Sequence, residues 1–197
     1  MPRPGVPDPY RQQARKEGYL SRAVYKLKAM DAKHHLFRPG QRVLDLGCSP
    51  GSWLQYIISR VGQKGLVVGV DLTPPAVDPS PIFRFLAGDV ESLDLEALRA
   101  LCPHFEVVVS DLAPKTTGVK EVDHQRSLAL ARRAWEWAQE LLVPGGHFLV
   151  KIFEGSDSPA LAGEVRPAFE LFRLVKPPAS RQASREIYLL GLGKRPA

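Results

Sequence analysis

The sequence predicts an open, mostly parallel α/β sheet with helices on both faces, built as one domain. Three observations predict it. Apolar runs of strand length alternate along the chain with helix-compatible stretches, a pattern that brings successive strands into a parallel sheet. Four of those runs close on an acid: "RVLDLG", "GLVVGVD", "IFRFLAGDV" and "FEVVVSD" put Asp45, Asp71, Asp89 and Asp111 near strand carboxyl ends, where open α/β sheets bind their ligands. Finally, 197 residues of which 44% are hydrophobic suit one core, at ~100–200 residues per domain.

Taken in order, residues 1–18 are rich in Pro and charge and are expected to be a loosely ordered basic arm, with the domain occupying 19–197. From Ser21 to about Lys33, Leu20, Ala23, Val24, Leu27 and Met30 fall at helical spacing. "RPGQ" breaks the chain before the first strand, and "SWLQYIISRVG" is helix-compatible. "DLEALRALC" is a short helix between the third and fourth strands. "DHQRSLALARRAWEWAQELL" is a long amphipathic helix that "VPGG" ends before the strand "HFLVKIF". Its Trp135 and Trp137 diverge by about 200° and cannot face one core, so one of them is free to be exposed. A helix over "SPALAGEVRPAFE" is weakened by Pro167, and "FRLVKP" and "EIYLLGLG" complete the strands.

Charge is unevenly placed. Residues 1–42 carry ten Lys or Arg against Asp8, Glu17 and Asp31, a balance of +7 in a chain whose net charge is +6. The basic character therefore belongs to the N-terminal segment, where it suits phosphate contacts on a nucleic acid. No run of ~18 apolar residues indicates a transmembrane helix, and the N-terminus lacks a signal peptide's apolar stretch. A cytoplasmic protein is expected, monomeric and without a membrane partner. Cys48 and Cys102 have neither CxxC spacing nor a histidine cluster around them, so free thiols and no metal are expected. His34 and His35, before a Pro-Gly turn, read as a solvated pair.

"VLDLGCSPGSW", Val43 to Trp53, is a strand, a glycine-containing turn and a helix start. Its GxxxG spacing lacks the GxGxxG fingerprint of dinucleotide folds, which disfavours a pyrophosphate and an NAD-dependent oxidoreductase. Asp71, twenty residues after Gly51, is placed to accept from a ribose diol, and Asp89 from an exocyclic amine. S-Adenosylmethionine has both groups.

One residue resists the pattern: Lys151 stands inside the apolar strand "HFLVKIF", where an unpaired charge is costly. Snorkelling from a strand end is the bland explanation. With "SRAVYKL", "VLDLGCSPGSW", "GVDL", "GDV", "VVVSDLAP", "FLVKIFEG" and "SREIYLL" in one order, the chain closely resembles the FtsJ/RrmJ (RlmE-type) family of ribosomal RNA 2′-O-methyltransferases. The resemblance implies a Rossmann-like class I S-adenosylmethionine-dependent methyltransferase fold, seven-stranded with its last strand antiparallel. It implies that Gly47, Gly51, Trp53, Asp71, Asp89 and Asp111 line the cofactor site, and that Lys26, Asp111, Lys151 and Glu186 form the catalytic set. The substrate implied is a uridine in the peptidyl-transferase loop of large-subunit rRNA within the assembled subunit. Methylation of tRNA or of an mRNA cap is the same chemistry on another RNA. A noncatalytic RNA-binding assembly protein is the alternative of a different class, and the complete Lys-Asp-Lys-Glu set argues against it.

The chain departs from related sequences at Cys48, Ser49 and Ser52, where Ala or Gly is common, and at Lys115 and Thr116 in "APKTTG". The first three are expected to adjust the fit around the methionine tail. Moving a methyl to a ribose hydroxyl needs a base for its proton. Burial and a second ammonium both favour a neutral lysine, while Asp111 and Glu186 oppose that. Lys151 is therefore read as the base and Lys26 as the residue that orients or tunes it.

Overall fold

The computed structural model describes residues 8–181 and 183–196. Seven strands, β1 (Arg42–Leu46), β2 (Leu66–Asp71), β3 (Phe83–Ala87), β4 (Phe105–Ser110), β5 (Leu142–Phe153), β6 (Phe169–Val175) and β7 (Glu186–Lys194), form one sheet in the order β3-β2-β1-β4-β5-β7-β6. β1 to β5 pair in parallel, and β7 runs antiparallel to both β5 and β6. This is the Rossmann-like methyltransferase arrangement expected from the sequence.

Strand alternation divides the core into two layers, because successive side chains point to opposite faces. Leu44, Val68, Val108, Phe148, Val150 and Leu189 pack on one face beneath α4 (Leu95–Leu101), α5 (Lys120–Leu141) and α6 (Ser158–Val165). Val43, Val67, Val107, Val109, Leu149 and Tyr188 pack on the other, beneath α2 (Val24–His34) and α3 (Ser52–Val61). Asp45, Asp111 and Lys151 share the parity of this second group and so lie on the α2 side of the sheet.

The structure departs from the sequence reading in three places. Residues 1–7 of the expected arm lie outside the described residues, but Pro9–Lys16 form a helix, α1, and not a loose segment. Asp8 caps it by accepting from the backbone N–H groups of Tyr10 and Arg11, and its apolar side packs Ala14 and Tyr10 against Val24 and Tyr25. Both tryptophans of α5 are buried. Trp135 lies against Phe148 and Phe169. Trp137, on another side of the helix, is covered by the Arg133 guanidinium, which donates to the carbonyls of Val90 and Leu93. The expected break at "VPGG" is instead the first part of β5, with a register shift between Phe105 and Val107 on β4. The helix weakened by Pro167 in the sequence runs only over Ser158–Val165, and residues 166–168 form a single 3₁₀ turn into β6.

Candidate active site

The turn after β1 is held down by the Gly47 N–H, which donates to Val70 O at 2.8 Å. Gly47 has φ +80° and a Cβ there would stand 2.9 Å from Leu112 Cδ2, so the backbone comes closer to the next loop than any side chain permits. Gly51 (φ +119°) is the N-cap of α3, and a Cβ there would meet Val77 Cγ1 at 2.5 Å.

A cavity of about 710 Å³ opens beyond the carboxyl ends of the strands, walled by Gly47, Ser49, Asp71, Asp89, Asp111 and Lys115 among others. Asp71 is oriented by the N–H groups of Ser49 (3.0 Å) and Thr73 (3.1 Å), and Asp89 by the N–H of Glu91. Asp111 Oδ1 accepts from the Tyr188 hydroxyl at 2.8 Å. Burial, and then the Asp111 carboxylate, push the Tyr188 hydroxyl well above its ordinary range, so it remains a donor.

Gly51 and Trp53, expected in the same wall, stand behind it. The Trp53 indole stacks on Tyr188 with ring centroids 6.0 Å apart and donates to Ala23 O at 3.0 Å. Ser52 Oγ lies 2.8 Å from Ser21 Oγ. Both contacts fasten the start of α2 to the turn, and α2 carries Lys26. Of the three departures expected to shape the ligand, Ser52 therefore serves helix docking. The Cys48 thiol is buried at the place where a Gly69 Cβ would stand, 2.8 Å from it. Only Ser49 reaches the cavity.

The four residues of the expected catalytic set come together. Lys151 is 4% exposed; its Nζ donates to Asp111 O at 2.6 Å and lies 3.0 Å from Asp111 Oδ1. Lys26 Nζ donates to Glu186 Oε2 at 2.6 Å. Burial works against the Glu186 carboxylate, but Lys26 and then Lys151 outweigh it and hold that group below the usual carboxyl range. Lys26 and Glu186 line a second cavity of about 460 Å³ with Ser21, Arg22, Arg181 and Ser184. Lys151 contacts Asp111 of the first cavity and acts electrostatically on Glu186 of the second.

Sequence reading missed Tyr188 and Asp45. Tyr188 stands between Ile187 and Leu189 in the strand "EIYLLGLG", and nothing in that spacing marks it. In the sequence Asp45 is one of four strand-end acids, yet in the fold it is fully buried. Its partners, or their absence, depend on tertiary neighbours.

A model of the FtsJ-like methyltransferase family matches residues 19–194. The chain is 43% identical over 188 residues to the ribosomal RNA large subunit methyltransferase E of Desulfatibacillum aliphaticivorans, covering 95% of this chain and 91% of that one. It is 44% identical to the protein of that name from Syntrophobacter fumaroxidans, covering 96% and 97% respectively. The crystal structure of a ribosomal RNA methyltransferase from Plasmodium falciparum superposes with a TM-score of 0.80 at 28% identity, covering 91% of this chain and all of that one. The chain belongs to the FtsJ-like methyltransferase family.

Proposed function

We propose that the protein transfers a methyl from S-adenosylmethionine to a ribose 2′-hydroxyl of large-subunit ribosomal RNA, with Lys151 as the base. The observation that carries this reading is the pairing of Lys151 with Asp111, which walls the first cavity, and of Lys26 with Glu186, which line the second. The names of the relatives supply the substrate class.

The first cavity suits the cofactor. Gly47 gives a backbone wall where a side chain would collide, Asp71 is fixed for a ribose diol, and Asp89 stands at the end of the third strand for an exocyclic amine. Gly51 and Trp53 hold the turn from behind, and Asp111 walls the cavity while holding Lys151. When bound, S-adenosylmethionine supplies an electrophilic methyl on a sulfonium.

This chain's residues provide the rest. A neutral lysine has two N–H bonds and one lone pair. Lys151 Nζ is held by its hydrogen bond to Asp111 O and its contact with Asp111 Oδ1; once deprotonated, its lone pair takes the hydroxyl proton. General-base help of this kind contributes about 10²–10⁴-fold. Lys26, held by Glu186, stands at the second cavity, where its ammonium keeps a second positive charge close to Lys151. Arg22 and Arg181 at the same mouth suit RNA phosphates. α1 and α2 carry much of the N-terminal positive charge, so the basic segment lies on this side of the site.

The test is to offer labelled S-adenosylmethionine with assembled large subunits, tRNA and capped RNA, then map the modified atom. A 2′-O-methyl on large-subunit rRNA is expected. A methyl on a base, or on no RNA, overturns the reaction; a 2′-O-methyl confined to tRNA or a cap overturns the substrate.

A further inference from the structure

The buried polar side chains of α5 are gathered at its start: Asp123, His124 and Ser127 are 5%, 0% and 1% exposed. Polar groups are buried where they have a bond to make. Asp123 accepts from the N–H groups of Thr117 (2.6 Å) and Gly118 (3.2 Å), which fixes the loop after β4. His124 and Ser127 act on β5 instead. Ser127 Oγ accepts the Phe153 N–H at 2.9 Å, and His124 Nδ1 stands 2.7 Å from Phe153 O. That carbonyl is only an acceptor, so Nδ1 carries the ring hydrogen. Nε2 is left to accept from the Asp157 N–H at 3.2 Å. Gly155 makes room for the ring, since a Cβ there would stand 2.6 Å from His124 Cγ.

These bonds fill a gap in the sheet. β4 ends at Ser110, in register with Val150, while β5 runs on through Lys151, Ile152 and Phe153 with β7 as its remaining partner among the described strands. The Glu154 N–H points to β7, where it donates to Arg185 O. The backbone groups of Phe153 therefore point the other way, to the side where β4 has ended, and α5 side chains bond both of them. Phe153 lies two residues from Lys151, so the two side chains share a face of the strand, and it is paired with Glu186 of β7. Lys151 thus sits on an overhang clasped between β7 and α5. We propose that His124 is a positioning residue for the methyl transfer: with Ser127 it stands in for the missing strand and sets where Lys151 Nζ meets the ribose hydroxyl. This rests on the reading of Lys151 as the base and deepens it. A misplacement of about 1 Å costs up to about 10²-fold in rate, so loosening the overhang slows proton removal while both cavities still bind.

The test is a double-mutant cycle. Single-turnover methyl transfer to large subunits, with S-adenosylmethionine prebound, is measured for His124→Leu in the wild-type and Lys151→Ala backgrounds. In the wild type His124→Leu should lower the rate constant at least about tenfold, with affinity for S-adenosylmethionine and for the subunits unchanged. In the Lys151→Ala background it should cost less than about twofold, because the group being positioned is gone. His124→Asn keeps an N–H for Phe153 O and should recover most of the rate. Ser127→Ala, which removes only the acceptor of the Phe153 N–H, repeats the cycle if the leucine variant melts early. Equal losses in both backgrounds, or no loss from either variant, overturn the proposal. If Lys151→Ala itself transfers at the wild-type rate, it is the base reading that fails.

Discussion

Replacing Lys26 with methionine removes the ammonium that sits 2.6 Å from Glu186 Oε2 while keeping most of the apolar stem. Removing one partner of a fully buried ion pair costs about 3–5 kcal/mol, whereas exposed pairs contribute about 0–1 kcal/mol. The Lys26 side chain is 11% exposed and that of Glu186 22%, which places this pair towards the buried end. Lys151 still acts on Glu186 in the variant, so a loss of about 2–3 kcal/mol at pH 7 is expected. For a domain of this size that is about 5–10 °C in Tm. The pH dependence identifies the cause. Glu186 lies below its ordinary 4.5 in the folded protein, so its contribution is complete above about pH 4.5 and disappears as pH falls through the folded-state value. Without Lys26 the burial of the carboxylate, which opposes ionisation, weighs more, and the group titrates higher. The difference between wild type and variant should therefore be largest near pH 7 and shrink as pH falls below 4.5. Urea denaturation across that range measures it, and Lys26→Met/Glu186→Gln should recover most of the loss. Equal stability at pH 7, or a deficit that does not shrink at all as pH falls below 4.5, refutes the reasoning.

Two further outcomes follow from other parts of the fold. Lys194 Nζ donates to the carbonyls of Gln139 (2.6 Å), Leu142 (2.8 Å) and Ala138 (3.3 Å), closing the C-terminal end of α5. Lys194→Met should cost about 2 kcal/mol in urea denaturation with kcat unchanged, since Lys194 is remote from both cavities. Gly51→Ala places a Cβ 2.5 Å from Val77 Cγ1 at φ +119°; cofactor affinity measured by calorimetry should fall at least tenfold, and unchanged affinity would show that the turn yields freely.

The sheet was legible because each strand announces itself locally: apolar runs closed by Asp71 or Asp111 need no tertiary information. The family resemblance then located Lys26, Asp111, Lys151 and Glu186, which stand far apart in sequence and meet only through the crossing of α2 over the ends of β4, β5 and β7. What stayed hidden depended on neighbours. Pro9–Lys16 is a charged segment whose helix is stabilised by a cap on Asp8 and by Tyr25, fifteen residues beyond Tyr10. Trp137 is buried because Arg133 reaches across it to two carbonyls of a distant loop. Ser52 differs from Ser49 in role only because Ser21 lies opposite it. Asp45 has the same strand-end signature as Asp71, and only its complete burial without a partner sets it apart.

On the proposed function, Lys151 takes the ribose proton. Single-turnover methyl transfer to large subunits, with S-adenosylmethionine prebound, compares the wild type with Lys151→Ala under conditions where binding is shown to be retained. The transfer rate constant is expected to fall by about 10²-fold or more. Transfer at the wild-type rate by a variant that binds cofactor and subunit normally would contradict the assignment.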